Sequence, residues 1–148
     1  MEKKKIAVIG VKYFPSKGGT SRVAENIVQE LKDHFEFTVY CYQDPAAKNH
    51  IPGVKVVEYQ ELPFGSIGVF FFFVRCMLHA MIWGNYDLVH VHKTDAAILL
   101  PMLSKKFKCI ATSHEAPYLR DKWTRFEKKY FKWMEKLFMK SDATLTAI

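Results

Sequence analysis

The sequence predicts an α/β domain, a Rossmann-like parallel sheet with helices on both faces. Three observations point there. Short apolar runs alternate along the chain with segments of helical spacing. The strand-like runs are apolar at consecutive positions. A loop carrying Pro15 and the pair Gly18-Gly19 joins the first strand to the first helix. Alternation of strand and helix argues βαβ units, whose helices cover both faces of a sheet and bury its strands on two sides. A glycine-rich turn at the carboxyl end of a first parallel strand is where such sheets place ligands.

Each element has its own warrant. Lys5–Gly10 is apolar and β-rich, and Ser21–Asp33 carries Val23, Ile27, Val28 and Leu31 at helical spacing. Phe35–Tyr42 reads as a second strand ended by Asp44-Pro45, and Val54–Tyr59 as a third introduced by Pro52-Gly53. Ile67–Trp83 is short for a bilayer span and holds Arg75 and His79 in its middle, so a largely buried helix is predicted. Tyr86–Val91 is a strand, and Asp95–Lys105 a helix that Pro101 is expected to shorten or kink. Lys108–Ser113, Lys122–Lys140 and Ala143–Ile148 complete the pattern as strand, helix and strand. The last strand leads into no ligand loop, so the chain, residues 1–148, is expected to be one domain of a larger protein.

Composition narrows the class. The 148 residues are enough to bury a core, and a hydrophobic share of 49% excludes a disordered chain. The net charge of +7 suggests an acidic partner, a phosphorylated ligand or an anionic lipid surface. Much of it lies between Arg120 and Lys140, with eight Lys or Arg against three Asp or Glu. The cysteines, Cys41, Cys76 and Cys109, are odd in number and show no CxxC spacing, which fits buried thiols in a reducing compartment and indicates no zinc site. The Lys3-Lys4-Lys5 start leads into no secretory signal. Other ligand classes fail on spacing. The loop from Gly10 to Gly19 is too long for GxGxxG, and the second strand ends in Cys41-Tyr42-Gln43 without the acidic residue of a dinucleotide site. Lys17 precedes the glycines, against the order of a P-loop. No motif supports nucleic-acid binding.

Two strands end in histidine. His92 is followed by Lys93, and His114 by Glu115. In a doubly wound sheet all carboxyl ends share one edge, so Gly18, Gly19, His92, His114 and Glu115 are expected to converge there. Histidine at such an edge donates to a phosphate or takes a proton from a hydroxyl near neutral pH. The plain alternative is that these histidines only cap strand ends. His90 is expected on the other face of its strand from His92, packed under a helix; His34, His50 and His79 carry no positional argument.

On a wheel of about one hundred degrees per residue, Trp123, Phe126, Tyr130, Phe131, Trp133, Met134, Leu137 and Phe138 gather on one side of the last helix. The lysines fall opposite. A sheet-covering helix with a basic outer face is predicted, and that face could touch an anionic membrane. Glu127 falls unexpectedly inside the apolar arc. The aromatic loop Glu61–Gly68 is a second candidate acceptor surface, or a plain connection capped at Ser66.

Four segments resemble the N-terminal domain of GT-B glycosyltransferases, in particular the retaining family 4: Phe14–Arg22, Tyr86–His92, Ala111–Glu115 and Met134–Ile148. They follow the family's order and span nearly the whole chain. The resemblance implies one Rossmann-like half of a GT-B fold, the acceptor side, with the donor-binding C-terminal domain absent from this chain. It implies hexosyl transfer from a nucleotide-sugar to a glycan or lipid-linked acceptor, in cell-envelope polysaccharide or glycoconjugate synthesis. No metal and no cofactor beyond the donor substrate are expected. The location implied is cytoplasmic, at the inner face of the membrane. Gly18 and Gly19, with Thr20, would let backbone N–H groups approach the phosphates or the transferred sugar. Arg22 would hold phosphate or acceptor, Lys93 and Glu115 would bind substrate or phosphate, His92 and His114 would line the cleft, and His114 is the catalytic candidate. The isolated domain would bind but not turn over. The rival reading is a non-catalytic Rossmann-like binding domain.

Overall fold

The computed structural model describes residues 2–11, 13–14, 20–43, 52–92, 99–113, 124–140 and 143–147, with the backbone alone at 20, 21, 66, 113, 131, 138 and 147. The elements follow in the order β1 (Lys4–Ile9), α1 (Thr20–Leu31), β2 (Phe35–Tyr42), β3 (Lys55–Tyr59), α2 (Gly65–Trp83) and β4 (Leu88–His92). Then come α3 (Leu100–Leu103), β5 (Lys108–Ser113), α4 (Arg125–Lys140) and β6 (Thr144–Ala147). The described strands form one sheet in the order β3-β2-β1-β4-β5-β6, and each neighbouring pair is parallel. This is the doubly wound arrangement predicted, with its switch point between β1 and β4.

The two faces of the sheet are packed differently. Ala7, Ile9, Tyr40, Tyr42, Val89, Val91, Cys109 and Ala111 point to one face, where they meet Phe72, Phe73, Cys76 and Ala80 of α2 and Leu100 and Leu103 of α3. Leu137 of α4 packs against the same cluster. Ile6, Val8, Phe37, Val39 and Cys41 point to the other face, under Ala24 and Val28 of α1 and beside Val11 and Phe14. Each fully buried Phe or Leu contributes about 1.5–3 kcal/mol from loss of water contact. The apolar runs without alternation are thus explained, since β1 and β2 are buried on both sides.

The buried hydroxyl of Tyr40 is satisfied by two partners, His79 Nδ1 at 2.9 Å and the Tyr86 hydroxyl at 2.7 Å. The bonds tie β2 to α2 and to the entry of β4, giving His79 a role that its sequence position did not suggest. Asp87 registers β4 against β1. Its carboxylate accepts from the Lys5 backbone N–H, and its own N–H donates to the Lys5 carbonyl, both at 2.8 Å.

Several expectations need correction. The helix α2 is apolar all round but only half buried: Phe64, Ile67, Phe71, Leu78, Ile82 and Trp83 are exposed around it. It starts at Gly65 with Phe64 as N-cap and no side-chain cap bond, so Ser66 is not its cap. Pro101 occupies the first turn of α3, where its missing N–H costs nothing, and makes no kink there. Residues 95–98 of that predicted helix lie outside the described residues. In α4, Met134 is buried, but Phe126 is 79% exposed and Trp133 51%. They flank the basic face instead of entering the core, which α4 reaches through Leu137. Glu127 also finds its reason. Its backbone N–H donates to Thr124 Oγ1 at 3.2 Å, so the pair forms the Thr-x-x-Glu signature of a helix start, and position three of the helix, not the apolar arc, explains the carboxylate.

Gly10 ends β1 with φ +100°, and a Cβ on it would lie 1.8 Å from the His92 carbonyl oxygen. Both the left-handed backbone and the approach of β4 therefore exclude a side chain. Gly10→Ala should lower unfolding free energy by about 3 kcal/mol or more, as strain adds to a backbone clash. Gly53→Ala (φ +82°) has nothing within 4 Å and should lose only about 1 kcal/mol. Urea denaturation of the two variants reads the difference, and equal losses would mean that the His92 contact carries no energy.

Burial pushes the Cys41 thiol up to about 12, with the Glu58 carboxylate adding to it, and burial also raises Cys76 and Cys109. Burial raises the Tyr42 phenol to about 12 as well. An unfolded thiol ionises near about 8.5, so folding disfavours the thiolate. This stability is complete below about pH 8.5 and is lost as pH rises from there toward the folded values. The urea midpoint should fall between pH 8 and pH 10, and native thiols should react slowly with Ellman's reagent at pH 8; a flat midpoint and prompt labelling would contradict the buried thiols.

Candidate functional site

The candidate site is built at the carboxyl edge of the sheet. Because β1 leads to β2 on one side and β4 lies on the other, their ends leave a crevice that no crossover closes. Gly10 and His92 meet at its floor. His92 is 1% exposed, held between neighbouring strands. The loop after β1 brings Tyr13 to the same edge, where its hydroxyl donates to Glu61 Oε2 at 2.9 Å. Its ring lies 6.0 Å from that of Tyr42. Thus the glycine loop's start and the Glu61–Gly68 segment, two separately predicted surfaces, are joined at one edge. The Tyr13–Glu61 bond was not foreseen; the two residues lie far apart in sequence, and only the parallel order β3-β2-β1 brings their loops together.

The first turn of α1 opens on this edge, since a crossover helix runs antiparallel to its strands. Arg22 is exposed in that turn, and no acidic residue accompanies it. Unpaired N–H groups, the positive end of the helix dipole and a guanidinium all favour an anion there. Of the predicted site residues, Arg22 and His92 are placed on the edge, and Thr20 opens α1. Gly18, Gly19, Lys93, His114 and Glu115 lie outside the described residues.

His90 corrects the expectation made for it. Strand residues two apart share a face, because the pleat has a period of two. The His90 and His92 rings stack with centroids 3.9 Å apart and planes at 33°. His90 Nε2 bonds Thr112 Oγ1 at 2.7 Å, and Thr112 Oγ1 bonds Thr146 Oγ1 at 2.5 Å. A polar track therefore crosses β4, β5 and β6 on the face that α1 covers farther along. The signal for it was present in the sequence as His, Thr and Thr at matching positions of three successive strands.

A second concavity lies elsewhere. A cleft of about 550 Å³ opens at the amino edge, lined by Lys5, Glu36, Lys55, His79, Trp83 and Tyr86 among others. Two of its charges are paired with each other: Lys55 Nζ donates to Glu36 Oε1 at 2.7 Å, which lowers the Glu36 pKa and raises that of Lys55. Sheets of this order bind ligands at the carboxyl ends, and the dipoles and unpaired N–H groups there are the stronger argument.

Thr112 is 4% exposed and central to the polar track, so removing its hydroxyl takes the partner from the half-buried His90 Nε2. Thr112→Val should cost about 1–3 kcal/mol of stability, whereas Thr112→Ser keeps the hydroxyl and should cost clearly less. Thermal denaturation of both checks it; a Val variant no less stable than the Ser variant would show that the hydroxyl contributes no more than the methyl.

Comparison with known proteins agrees with this geometry. The sequence pattern of Glycosyltransferase Family 4 matches residues 17–147. Among curated protein sequences, none is significantly similar to the chain. Sucrose-phosphate synthase from Thermosynechococcus elongatus is similar in structure, with a TM-score of 0.66 and 16% identity over 99% of this chain and 48% of that one. Anabaena HepE in complex with UDP and glucose gives 0.61 and 18% over 97% of this chain and 37% of its own, and its complex with UDP-glucose gives 0.61 and 16% over 96% and 36%. At these identities the likeness is one of fold, and this chain spans less than half the length of each. The match over residues 17–147, laid on a doubly wound sheet, shows that the chain belongs to glycosyltransferase family 4.

Proposed function

We propose that this chain is the acceptor-side half of a retaining, metal-independent glycosyltransferase that moves a hexosyl unit from a nucleotide-diphosphate sugar to a glycan or lipid-linked acceptor. The observation that carries the reading is the carboxyl edge itself, where Gly10 packs against His92 at the switch point and the first turn of α1 presents Arg22. Membership of the family supplies the reaction class. The HepE structures hold UDP with glucose, and UDP-glucose, which makes a uridine diphosphate sugar the first donor to test here.

Breaking a sugar–phosphate bond leaves charge on a diphosphate, and that charge needs fixed donors in a water-poor cleft. Arg22, the first N–H groups of α1 and the Gly18-Gly19 backbone are assigned to the anion. His114, which follows β5 directly in sequence, is assigned to the transferred sugar, and Glu115 and Lys93 to binding of substrate or phosphate. His92, being buried, is assigned to shaping the floor rather than to exchange of protons with solvent. A second domain closing over the edge would exclude water. The proposed setting is envelope polysaccharide or glycoconjugate synthesis, at the cytoplasmic face of the membrane.

The test is donor turnover by the full-length protein, read as release of nucleoside diphosphate with and without candidate acceptors. Gly19→Asp places a carboxylate at the assigned phosphate contact and should abolish release while leaving the melting temperature within a few degrees. His114→Ala should lower kcat about a hundredfold or more, as expected for loss of one group that meets the reacting centre. Full activity in both variants would point instead to a non-catalytic binding domain.

A further inference from the structure

The outer side of α2 is the least expected surface of the molecule. Phe64, Ile67, Phe71, Leu78 and Ile82 recur three, four or seven residues apart and are all exposed. On a helix they fall within an arc of about sixty degrees and extend over about 27 Å. The line carries no charge. Arg75, at its margin, is drawn over the Tyr59 ring at 4.4 Å, and His79 turns inward to Tyr40. Trp83 ends the helix 71% exposed. Scattered apolar residues on a surface need no explanation, but a continuous line of this length marks an interaction site.

The helix α4, which packs on the same face of the sheet, differs in sign and chemistry. The outer arc of α4 carries Arg125, Lys129, Lys132, Lys136 and Lys140, all exposed, with exposed Phe126 and Trp133 along its side. Its acids, Glu127 and Glu135, are only partly exposed. Between the helices, Lys105 and Lys106 end the α3 turn, and Lys106 Nζ donates to the Met81 and Gly84 carbonyls at the end of α2. Since α2, α3 and α4 all pack on one face of the sheet, their outer sides look the same way.

We propose that this helix layer docks on an anionic lipid bilayer, the outer line of α2 entering the interface and the basic face of α4 meeting the headgroups. Charge decides between a bilayer and a second copy of the chain. A two-fold pairing through this layer would set each basic face against a like-charged or uncharged one, whereas an anionic interface satisfies both the apolar line and the cations. Exposed Trp and Phe beside Lys suit the same boundary. Two weak signals acting together are what reversible membrane attachment requires.

The geometry has a consequence for the site. The helix α2 runs from Phe64, close behind the Glu61 that bonds Tyr13, so the docked layer places the carboxyl edge beside the membrane plane. A lipid-linked acceptor would reach that edge without leaving the bilayer. This last step rests on the glycosyl-transfer reading; the docking itself does not.

Vesicle co-sedimentation of the protein, with no donor or acceptor present, tests docking separately from catalysis. Phosphatidylcholine vesicles with phosphatidylglycerol should bind it at low salt, and phosphatidylcholine alone should bind far less. The double variant Ile67→Ser/Phe71→Ser, on exposed positions that leave the core intact, should lower partitioning about tenfold. Lys129→Gln/Lys136→Gln should weaken the preference for phosphatidylglycerol and its salt dependence. Circular dichroism confirms the fold of each. The proposal is overturned if the wild type fails to sediment with phosphatidylglycerol vesicles at low salt, or if the α2 variant binds as well as wild type. It is equally overturned if sedimentation equilibrium shows a dimer that Phe71→Ser dissociates while vesicles bind nothing.

Discussion

The close approach of β1 and β4 at Gly10 and His92 is the constraint on which the rest depends. Two parallel strands that diverge in connectivity must still pair along their length, and here Asp87 and Lys5 lock the amino end with two reciprocal bonds. At the carboxyl end the pairing leaves no room for a side chain on Gly10. The chain turns out of the sheet there, with a left-handed glycine, into the loop that precedes α1. The same contact therefore ends β1, buries His92 and opens the crevice. Any displacement of β4 along β1 would remove all three at once.

From that contact the asymmetry of the two faces follows. The helices α2, α3 and α4 crowd one face, where buried aromatic rings do much of the packing: Tyr42 and Phe72 lie 4.2 Å apart, and Phe72 and Phe73 5.5 Å. The opposite face has α1 over β1 and β2. Beyond it the same face of β4, β5 and β6 carries histidine and threonine, with His90, Thr112 and Thr146 bonded across the strands. Polar side chains on a sheet face are stable only when so paired, and the pairing holds His90 and His92 in a stack. The polar half-face and the apolar face are thus two answers to one question, how each strand satisfies its neighbours.

The fold was legible because its signal is redundant. Six apolar runs and the helices between them agree with a single topology, and no individual boundary matters to it. Strand limits such as Phe35–Tyr42 and Lys108–Ser113 are the same in sequence and structure because turn residues and charges bracket them. The site was legible only in part. The glycine loop and the strand-end histidines announce an edge, but Tyr13–Glu61 and Tyr40–His79–Tyr86 join residues dozens of positions apart, and no local pattern encodes them. His90 was misplaced through its strand period, which alone puts it beside His92. Glu127 was misread because a helical wheel ignores where the helix begins, and a first-turn carboxylate answers to the cap.

Hydropathy patterning misjudged α2 for a deeper reason. A helix that is apolar on every side is expected to be enclosed, and the inference assumes that water is the only solvent available to its outer face. The sheet can cover only one side of a crossover helix. In this chain the other side keeps Ile67, Phe71 and Ile82 in the open while α4, on the same face of the sheet, concentrates lysine. Folding alone gains nothing from that arrangement, because each exposed apolar residue leaves hydration cost unrelieved and each added lysine increases self-repulsion. Both costs reverse sign at an anionic lipid interface. On the docking proposed above, the same residues that look like errors of packing in water would be what holds the helix layer, and with it the crevice at Gly10 and His92, against a lipid surface.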